Sequence, residues 1–406
     1  MKRVLRIVNR FNLGGPTFNA AYLTKYLYPE YETMLIGGIH EDDEESSEFI
    51  LNSLGINAII IPEMRRSING FGDYQAYRKI KNIIKEYKPD IVHTHASKAG
   101  MLGRKAAFDA GVPIVVHTFH GHVFHSYFNP LKTRTFIQIE RFLASKSDAI
   151  IAISQAQKDE LANVFSIASE EKIKVIPLGL DLSRFITNQD EKRYVFRKEN
   201  HLDDDEIAVA IVGRLVPIKN HPLFIKAIAQ AKQRTHKKIR AFIVGDGQSR
   251  NEIENLAHKL NLIISPNGST TLKPDIRFSS WIKNIDYVYA GVDIVALTSL
   301  NEGTPVSLIE AQAAGKPIVS TNVGGIKDIS IDGSSVLLSE SNDEKAFIEN
   351  FIKLIKNDDL RQNMRNKAKK FIIESFDYHR LVTDVSDLYS HLLHSKKMNA
   401  KTKVFA

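Results

Sequence analysis

The 406-residue sequence contains no cysteine. This excludes disulfide bonds and thiolate metal sites, and it suits a protein of the reducing cytosol. No apolar run approaches the roughly 18–20 residues of a membrane-spanning helix, and the N-terminus enters a strand-like segment without a signal-type apolar core. We therefore expect a cytoplasmic protein.

The residues that are present have the composition of a soluble globular protein, with 43% hydrophobic and 25% charged residues. The chain is too long to fold around one ordinary hydrophobic core, so its length predicts two α/β domains of about 200 residues each. A net charge of +8 favours an anionic partner, which includes nucleic acid, anionic lipid and phosphorylated ligands. Because no nucleic-acid motif with stacking aromatics is found, we expect no nucleic-acid partner.

A strand, a short polar loop and a helix follow one another in the stretch that starts with the apolar run 292–297. Thr304 is a good helix N-cap, and Pro305 suits the first helical position. A capping box would need Glu or Gln three residues after the cap, where the chain has Ser307. The N–H groups near Val306 and Ser307 therefore remain available to an anion, which the helix dipole also favours.

Two glutamates lie in this stretch, Glu302 in the loop and Glu310 about two turns inside the helix. An ionised carboxylate accepts charge-assisted hydrogen bonds from sugar and ribose hydroxyls. A nucleotide-sugar would offer a diphosphate to the helix N-terminus and hydroxyls to both glutamates. The alternative is that both are surface residues of an amphipathic helix.

Two glutamates separated by seven residues in this setting resemble the E-x7-E signature of retaining glycosyltransferases of the GT-B fold, the glycosyltransferase family 4 (group 1) type. The resemblance extends over nearly the whole chain. It implies an α/β protein of two Rossmann-like, doubly wound parallel-sheet domains that face a central cleft. It also implies a UDP-sugar or another nucleotide-diphosphate sugar as donor, a glycan or lipid-linked sugar as acceptor, and neither cofactor nor metal.

Two cations follow the apolar segment 207–212, in the sequence Gly213-Arg214-Leu-Val-Pro-Ile-Lys219. Arginine can donate two parallel hydrogen bonds to phosphate oxygens, and lysine provides a compact positive charge. Together they can neutralise the negative charge of a departing diphosphate. The arrangement resembles the diphosphate clamp of the family. Two ordinary surface cations are the alternative.

Two glycine turns also follow predicted strands, Gly14-Gly15 and the Gly-Asp-Gly turn at Gly245. Glycine lets the backbone approach a phosphate or sugar closely, although a Gly-Gly pair is more commonly just a tight turn. The resemblance implies that both turns lie near the donor. A dinucleotide fingerprint would need glycine where Arg250 stands, which argues against a dehydrogenase.

Six histidines lie between positions 93 and 125, after two predicted strands. Ligands of open α/β sheets bind at the carboxyl ends of strands, so we expect these histidines to face a ligand. Their spacing lacks a helical histidine pair with a glutamate, which argues against a metal site. His117–His120 matches the family's His-Thr-x-His element, which implies that His120 touches the donor sugar or its phosphate. The acceptor-side candidates are His95, Lys98, His117 and His122.

The predicted domains are an acceptor-side domain at 1–186 and a nucleotide-sugar domain at 187–376. A helix at 377–395 is expected to cross back and complete the first domain, and 396–406 is expected to be a mobile basic tail.

Three further segments lie in the second half. Asp203 and Asp205 form an Asp-x-Asp, a metal-nucleotide motif in another glycosyltransferase fold, but their charged surroundings favour a surface turn. Residues 262–275 are predicted to be a long loop. The segment Trp281–Asn284 stands where the family contacts the nucleotide base.

Tyrosines and isoleucines recur at helical spacing over 74–88, with lysines and an arginine between them. Two interpretations remain. The helix has a solvated surface face, or its basic face lies on a membrane, as would suit a lipid-linked acceptor. The second interpretation implies peripheral contact with the cytoplasmic face of the inner membrane and a role in polysaccharide or lipopolysaccharide assembly.

The resulting prediction is a retaining glycosyltransferase that moves a hexose or N-acetylhexosamine, with a UDP-sugar favoured as donor. Glu302 is expected to bind the transferred sugar and Glu310 the ribose. The expected catalytic residues are His120, Glu302, Arg214 and Lys219. The expected donor-binding residues are Gly14, Gly15, Gly213, Gly245, Gly303, Thr304, Pro305, Val306, Ser307 and Glu310. A UDP-sugar 2-epimerase of the same fold and a non-catalytic nucleotide-sugar-binding protein remain alternatives.

Overall fold

The chain divides into two compact units, Met1–Leu180 with Phe376–Ala406, and Asp181–Ser375. The structure, a computed structural model, describes residues 1–12, 14–41, 46–121, 130–265, 273–331 and 333–404. Each unit contains its own parallel sheet flanked by helices.

Among the described residues, seven strands form the sheet of the first unit. They are β1 (Lys2–Arg10), β2 (Tyr31–Gly38), β3 (Ile59–Ile60), β4 (Ile91–His95), β5 (Ile114–Phe119), β6 (Ala149–Ala152) and β7 (Ile173–Val175). Their order in the sheet is β3-β2-β1-β4-β5-β6-β7, with parallel pairing throughout. The strand order reverses between β1 and β4, and ligands of such sheets bind at this point.

Helices cover both faces of this sheet, which explains why the central strands β4 and β5 are buried along their whole length. They are α1 (Gly15–Tyr26), α2 (Glu48–Ser53), α3 (Gly70–Tyr87), α4 (Ser97–Asp109), α5 (Pro130–Lys146) and α6 (Gln155–Asp159), the last continued by a π-helical turn at Glu160–Val164. In α3, Ile80 and Ile84 are buried in the core, whereas Tyr74 is exposed. Much of the apolar stripe predicted over 74–88 is therefore a core-facing stripe.

The described part of the second unit repeats the pattern with seven strands. They are β8 (Glu206–Val212), β9 (Lys238–Val244), β10 (Ile264–Ser265), β11 (Ile276–Ser279), β12 (Ile294–Leu297), β13 (Ile318–Thr321) and β14 (Val336–Ser339). Their order is β10-β11-β9-β8-β12-β13-β14, again with parallel pairing. The strand order reverses between β8 and β12, so the residues that follow these two strands are placed to bind a ligand.

Eight helices accompany these strands among the described residues. They are α7 (Ser183–Ile186), α8 (Gln189–Glu199), α9 (His221–Arg234), α10 (Arg250–Lys259), α11 (Ile285–Gly291), α12 (Val306–Ala313), α13 (Glu344–Lys356) and α14 (Asp358–Phe376), with 3-10 turns at Pro217–Lys219 and Gly324–Ile329. No helix of the described residues is long and apolar enough to cross a membrane.

The C-terminal helix α15 (Tyr378–Val404) belongs to the first unit. Its buried residues, among them Leu381 and Val385, pack in one core cluster with Val4 of β1. The helix continues past residue 395, so residues 396–404 are not the separate tail that the sequence predicted. Lys396 Nζ lies 2.8 Å from Asp148 Oδ1, an ion pair that ties this part of the helix to the first unit.

The structure differs from the predicted organisation at two further places. The units divide after Leu180 rather than after residue 186, because the Phe185 ring of α7 packs edge-on against Tyr289, with centroids 5.8 Å apart, inside the second unit. The predicted loop 262–275 contains strand β10, which pairs with β11. Residues 266–272 of that loop lie outside the described residues.

Candidate functional site

Two loops meet at the reversal point of the second sheet, one after β8 and one after β12. Thr298 Oγ1 donates a hydrogen bond to the Lys219 carbonyl at 2.8 Å. The Leu300 N–H donates to the Ile218 carbonyl, also at 2.8 Å. These two bonds hold the loops side by side and bring Lys219 to Glu302.

Lys219 and Glu302 form an ion pair, with 2.5 Å between Nζ and Oε1. Ser299 Oγ donates to the same carboxylate oxygen at 2.6 Å. Only 21% of the lysine side chain and 11% of the glutamate side chain are exposed, so the pair is partly shielded from water. A diphosphate that engaged the lysine would compete with the carboxylate, which would then be freer to accept hydrogen bonds from a sugar.

A glycine turn supports this loop. The Gly325 N–H donates to the Gly303 carbonyl at 2.9 Å. Gly324 has φ +54°, and a Cβ placed there would lie 1.8 Å from the Glu302 carbonyl oxygen. Any side chain at this position would displace the loop, so the glycine sets where the Glu302 backbone lies.

Helix α12 starts one residue later than the sequence predicts. Pro305 is the N-cap, and the first helical residue is Val306. Thr304 is not the cap, and its hydroxyl is buried without a hydrogen-bond partner in the described part of the chain. The first intrahelical bond runs from Leu308 N–H to the Pro305 carbonyl at 3.1 Å. The preceding N–H groups, of Val306 and Ser307, are those that a helix start leaves available to an anion.

Glu310 lies on α12 in a different environment from Glu302. Burial raises its pKa to about 7, and the neighbouring Asp286 adds to the increase. The nearby Arg184 guanidinium and Tyr289 hydroxyl oppose the increase without cancelling it. The carboxyl group therefore titrates close to neutral pH in the free protein.

The Gly-Asp-Gly turn at Gly245 contacts Gly213, the residue that precedes the two predicted cations. The Gly213 N–H donates to the Val244 carbonyl at 3.0 Å. At Gly245, φ is +135° and a Cβ would lie 2.1 Å from the Gly213 carbonyl oxygen, so this close approach requires glycine. Arg214 follows Gly213 directly and is exposed.

Other predicted segments of the second unit lie on its surface. Asp203 pairs with Lys273 at 2.6 Å and Asp205 pairs with Lys238 at 2.9 Å. These exposed ion pairs agree with the interpretation of the Asp-x-Asp as a surface turn. In the part of the chain that the structure describes, no group of three or more metal-ligating side chains is suitably arranged. The segment Trp281–Asn284 leads into α11, and Trp281 is 44% exposed.

In the first unit, the histidines gather at the ends of β4 and β5. His95 Nδ1 lies 2.9 Å from His120 Nε2, so two of the predicted site residues are hydrogen-bonded to each other. His117 makes a separate contact, 2.8 Å from Nδ1 to Thr94 Oγ1. Burial lowers the pKa of His95 and His117 well below the ordinary value and that of His120 to about 3, so these imidazoles are neutral at pH 7.

The other first-unit candidates lie elsewhere. Lys98 Nζ donates to the Arg65 and Ser67 carbonyls at 2.9 and 2.5 Å and pairs with Asp73 Oδ1 at 2.5 Å. Lys98 therefore holds the segment before α3, and its ammonium group is paired in the free protein. Gly14 is the N-cap of α1, and Gly15 is its first residue. His122 lies outside the described residues.

The sequence reasoning missed two residues that contact the histidines. Arg6 Nη1 lies 3.0 Å from His93 Nδ1 and 3.2 Å from His95 Nε2. Tyr389 of α15 lies with its hydroxyl 2.6 Å from His93 Nδ1. The signal for Arg6 was an arginine inside the buried, otherwise apolar stretch Val4–Val8 of β1. Nothing in the sequence indicates that Tyr389 contacts a histidine.

Comparison with known proteins identifies the family. The family described as Glycosyl transferases group 1 matches residues 192–371, and Glycosyltransferase Family 4 matches residues 20–184. The UDP-Gal:alpha-D-GlcNAc-diphosphoundecaprenol alpha-1,3-galactosyltransferase of Escherichia coli is 30% identical over 84% of this chain and 85% of its own length. The chain belongs to the group 1 glycosyltransferases.

Other relatives and solved structures agree with this family. The capsular polysaccharide biosynthesis glycosyltransferase CapM of Staphylococcus aureus is 25% identical to this glycosyltransferase over 83% of the chain and 85% of its own length. The crystal structure of Anabaena Alr3699/HepE in complex with UDP superposes with a TM-score of 0.79 at 20% identity, covering 96% of this chain and 100% of that one. WaaG, a glycosyltransferase involved in lipopolysaccharide biosynthesis, superposes with a TM-score of 0.71 at 17% identity, covering 95% and 99% of the two chains. The fold is the two-domain GT-B fold, as the sequence predicted.

Proposed function

We propose that this glycosyltransferase transfers a hexose or N-acetylhexosamine, with retention of anomeric configuration, from a UDP-sugar to a lipid-linked sugar or glycan. The observation that carries the proposal is the Lys219–Glu302 ion pair at the reversal point of the second sheet. It combines a cation for a diphosphate with a carboxylate for sugar hydroxyls. The name of the Escherichia coli relative, with UDP-Gal as donor and a diphosphoundecaprenol-linked GlcNAc as acceptor, supports the proposed substrate classes.

Each proposed donor contact follows from the chemistry of its side chain. Arg214 and Lys219 bind the diphosphate, together with the first N–H groups of α12. Glu302 accepts hydrogen bonds from the transferred sugar, and Glu310 accepts them from the ribose. His120 contributes a hydrogen bond to the donor sugar or its phosphate. The proposal involves no metal and no cofactor.

The proposed reaction is a front-face substitution. The bond between the anomeric carbon and the β-phosphate oxygen breaks, and the acceptor hydroxyl oxygen bonds to the same carbon from the same face. The acceptor proton passes to the departing phosphate oxygen, and UDP leaves. Negative charge grows on the diphosphate as the first bond breaks, so Arg214 and Lys219 stabilise the transition state more than the ground state.

A transfer assay with a GlcNAc-diphospho-polyprenol acceptor tests the proposal. We expect transfer from UDP-galactose, UDP-glucose or UDP-N-acetylglucosamine and none from GDP-mannose, with an α-linkage in the product measured by NMR. Release of an epimerised free sugar without any acceptor would instead identify a 2-epimerase. A β-linked product would refute retention, and absence of transfer from all UDP-sugars would refute the proposed donor class.

We also propose peripheral membrane contact through the start of α3. Ile68, Phe71 and Tyr74 are 67%, 73% and 57% exposed. Arg65 and Arg66 precede them and are exposed as well. Apolar side chains next to arginines suit the surface of an anionic membrane, where a lipid-linked acceptor would lie.

Flotation with phosphatidylglycerol vesicles tests this contact. The wild type should float at low salt. The double variant Ile68→Ser/Phe71→Ser should lower the partition coefficient about tenfold or more, because it removes two apolar side chains that would be buried in the membrane interface. The matched control is Leu131→Ser/Phe142→Ser, which removes two exposed apolar side chains of α5 (75% and 57% exposed) and should float like the wild type. If the wild type stayed in the bottom fraction of the gradient at low salt, without the vesicles, the proposed membrane contact would be wrong.

A further inference from the structure

Arg6 of β1 is a buried arginine whose described polar contacts are with neutral groups. Its side chain is fully buried, and it contacts His93, His95 and Tyr389. No carboxylate pairs with it in the described ranges. A guanidinium group has five N–H donors and no acceptor, so the direction of every hydrogen bond it makes is fixed.

This fixed direction can be followed through two histidines. Arg6 Nη1 donates to His95 Nε2 at 3.2 Å, so this nitrogen carries a lone pair and not a proton. Burial keeps His95 neutral, so its single ring proton is on Nδ1. That N–H then donates to His120 Nε2 at 2.9 Å. Because His120 is also neutral, its own proton is on Nδ1.

A second branch agrees with the same direction. Arg6 Nη1 also donates to His93 Nδ1 at 3.0 Å, and the Tyr389 hydroxyl donates to that nitrogen at 2.6 Å. The proton of His93 is then on Nε2, which donates to Thr118 Oγ1 at 2.7 Å. The Tyr389 oxygen accepts from Arg6 Nη2 at 3.4 Å. The directions of all these hydrogen bonds are mutually consistent with Arg6 as the donor at the centre of the network.

We infer that Arg6 is a positioning residue that fixes His120, through His95, as the Nδ1–H tautomer. His120 Nδ1 is shielded from water and has no hydrogen-bond partner within the described ranges, so its fixed N–H is a donor without an acceptor in the free protein. Its partner in the donor complex would be a phosphate oxygen of the nucleotide-sugar, which would have to reach this shielded nitrogen, and this step rests on the proposed function. The opposite tautomer would turn a lone pair toward that oxygen, which would repel it.

The tautomer can be measured in the free protein, without donor or acceptor. Histidine side chains labelled with ¹⁵N distinguish the two tautomers by the chemical shifts of their ring nitrogens, and the His120 signals are those absent from His120→Gln. We expect Nδ1–H for His120 in the wild type and a mixture of tautomers in Arg6→Met. His95→Phe breaks the same relay while keeping an aromatic ring, and it provides the test if Arg6→Met does not fold.

Two further variants separate positioning from structural support. Arg6→Lys keeps a buried donor and should retain the Nδ1–H tautomer. Tyr389→Phe removes a hydroxyl from the same network but leaves the Arg6–His95 bond, so it should also leave His120 unchanged. In the transfer assay, kcat should fall about tenfold in Arg6→Met. This is a smaller fall than the one caused by removing a group that donates directly to the transition state. Arg6→Lys should retain most of the wild-type activity.

The possible results distinguish this inference from the proposed function. An Nε2–H tautomer of His120 in the wild type would overturn the inference, and so would an unchanged Nδ1–H tautomer in both Arg6→Met and His95→Phe. If the tautomers behave as expected but His120→Gln transfers sugar at the wild-type rate, the relay is supported and the proposed role of His120 is wrong.

Discussion

Lys219→Ala is expected to lower kcat of sugar transfer about a thousandfold, since a preorganised group that stabilises charge developing in the transition state contributes about 10²–10³ and a cation on a transferring phosphoryl group about 10³ or more. The variant removes a largely shielded cation whose Nζ lies 2.5 Å from Glu302 Oε1. The diphosphate would lose charge compensation where the glycosyl–phosphate bond breaks. Steady-state kinetics at saturating donor and acceptor measure the effect.

The matched control for this variant is Lys226→Ala. Lys226 also belongs to the second unit and pairs with a glutamate, Glu344, at 2.8 Å, but both side chains are largely exposed. An exposed pair of this kind contributes at most about 1 kcal/mol to stability, and we expect wild-type kcat from the control. Wild-type kcat from Lys219→Ala itself would contradict the diphosphate assignment.

A double-mutant cycle with Glu302→Gln separates two roles of Lys219. If the lysine only holds the carboxylate in place, the double variant should be no worse than the poorer single variant. If the lysine also binds the diphosphate, Lys219→Ala alone should weaken thermal protection by UDP, while Glu302→Gln should leave that protection intact. We expect the second result, because Glu302 is assigned to the sugar and not to the nucleotide.

The fold could be predicted from the sequence because its signals are local. Strands buried on both faces appear as apolar runs, such as Ile294–Leu297, and the polar turns after them mark the ligand edge of the sheet. Helix ends were less predictable. Thr304 has the better capping side chain, yet the helix starts after Pro305. The end of the crossover helix was also missed, because the ion pair between Lys396 and Asp148 cannot be anticipated from local sequence.

Much of the candidate site depends on contacts between residues far apart in the chain. The spacing of the two glutamates and of the two cations indicated the loops, but not that Lys219 pairs with Glu302 across 83 positions. Arg6 and Tyr389 are separated by 383 positions and meet only because α15 packs on the first unit. The contacts of Lys98 were missed for the same reason, since its partners belong to the segment before α3 and to α3 itself.

Glu310→Gln is expected to weaken UDP binding at pH 8 about ten- to hundredfold, because a hydrogen bond to a charged group contributes about 1.5–3 kcal/mol. The variant keeps the shape of the side chain and removes its charge. In the wild type, UDP binding should also weaken as the pH falls below 7, because burial raises the pKa of the Glu310 carboxyl to about 7 and the protonated form is a poorer acceptor. Thermal protection by UDP across pH 5–9 measures both effects. The variant should lack this pH dependence, and Glu344→Gln, which changes an exposed carboxylate of the same unit, should retain it.

The same substitution should stabilise the free protein at high pH. The pKa of Glu310 in the folded state, about 7, lies above its ordinary value of 4.5, so the native protein binds this proton more tightly than the unfolded chain does. The contribution of Glu310 to the free energy of unfolding therefore falls as the pH rises from about 4.5 to 7 and stays low above that range. Glu310→Gln removes this cost, so its Tm without UDP should exceed that of the wild type at pH 8, and the difference should vanish near pH 4.5. A lower Tm at pH 8 would mean that Glu310 is a structural partner of Arg184. A higher Tm combined with weaker UDP binding would show that the glycosyltransferase keeps a destabilising buried carboxylate because the nucleotide requires it.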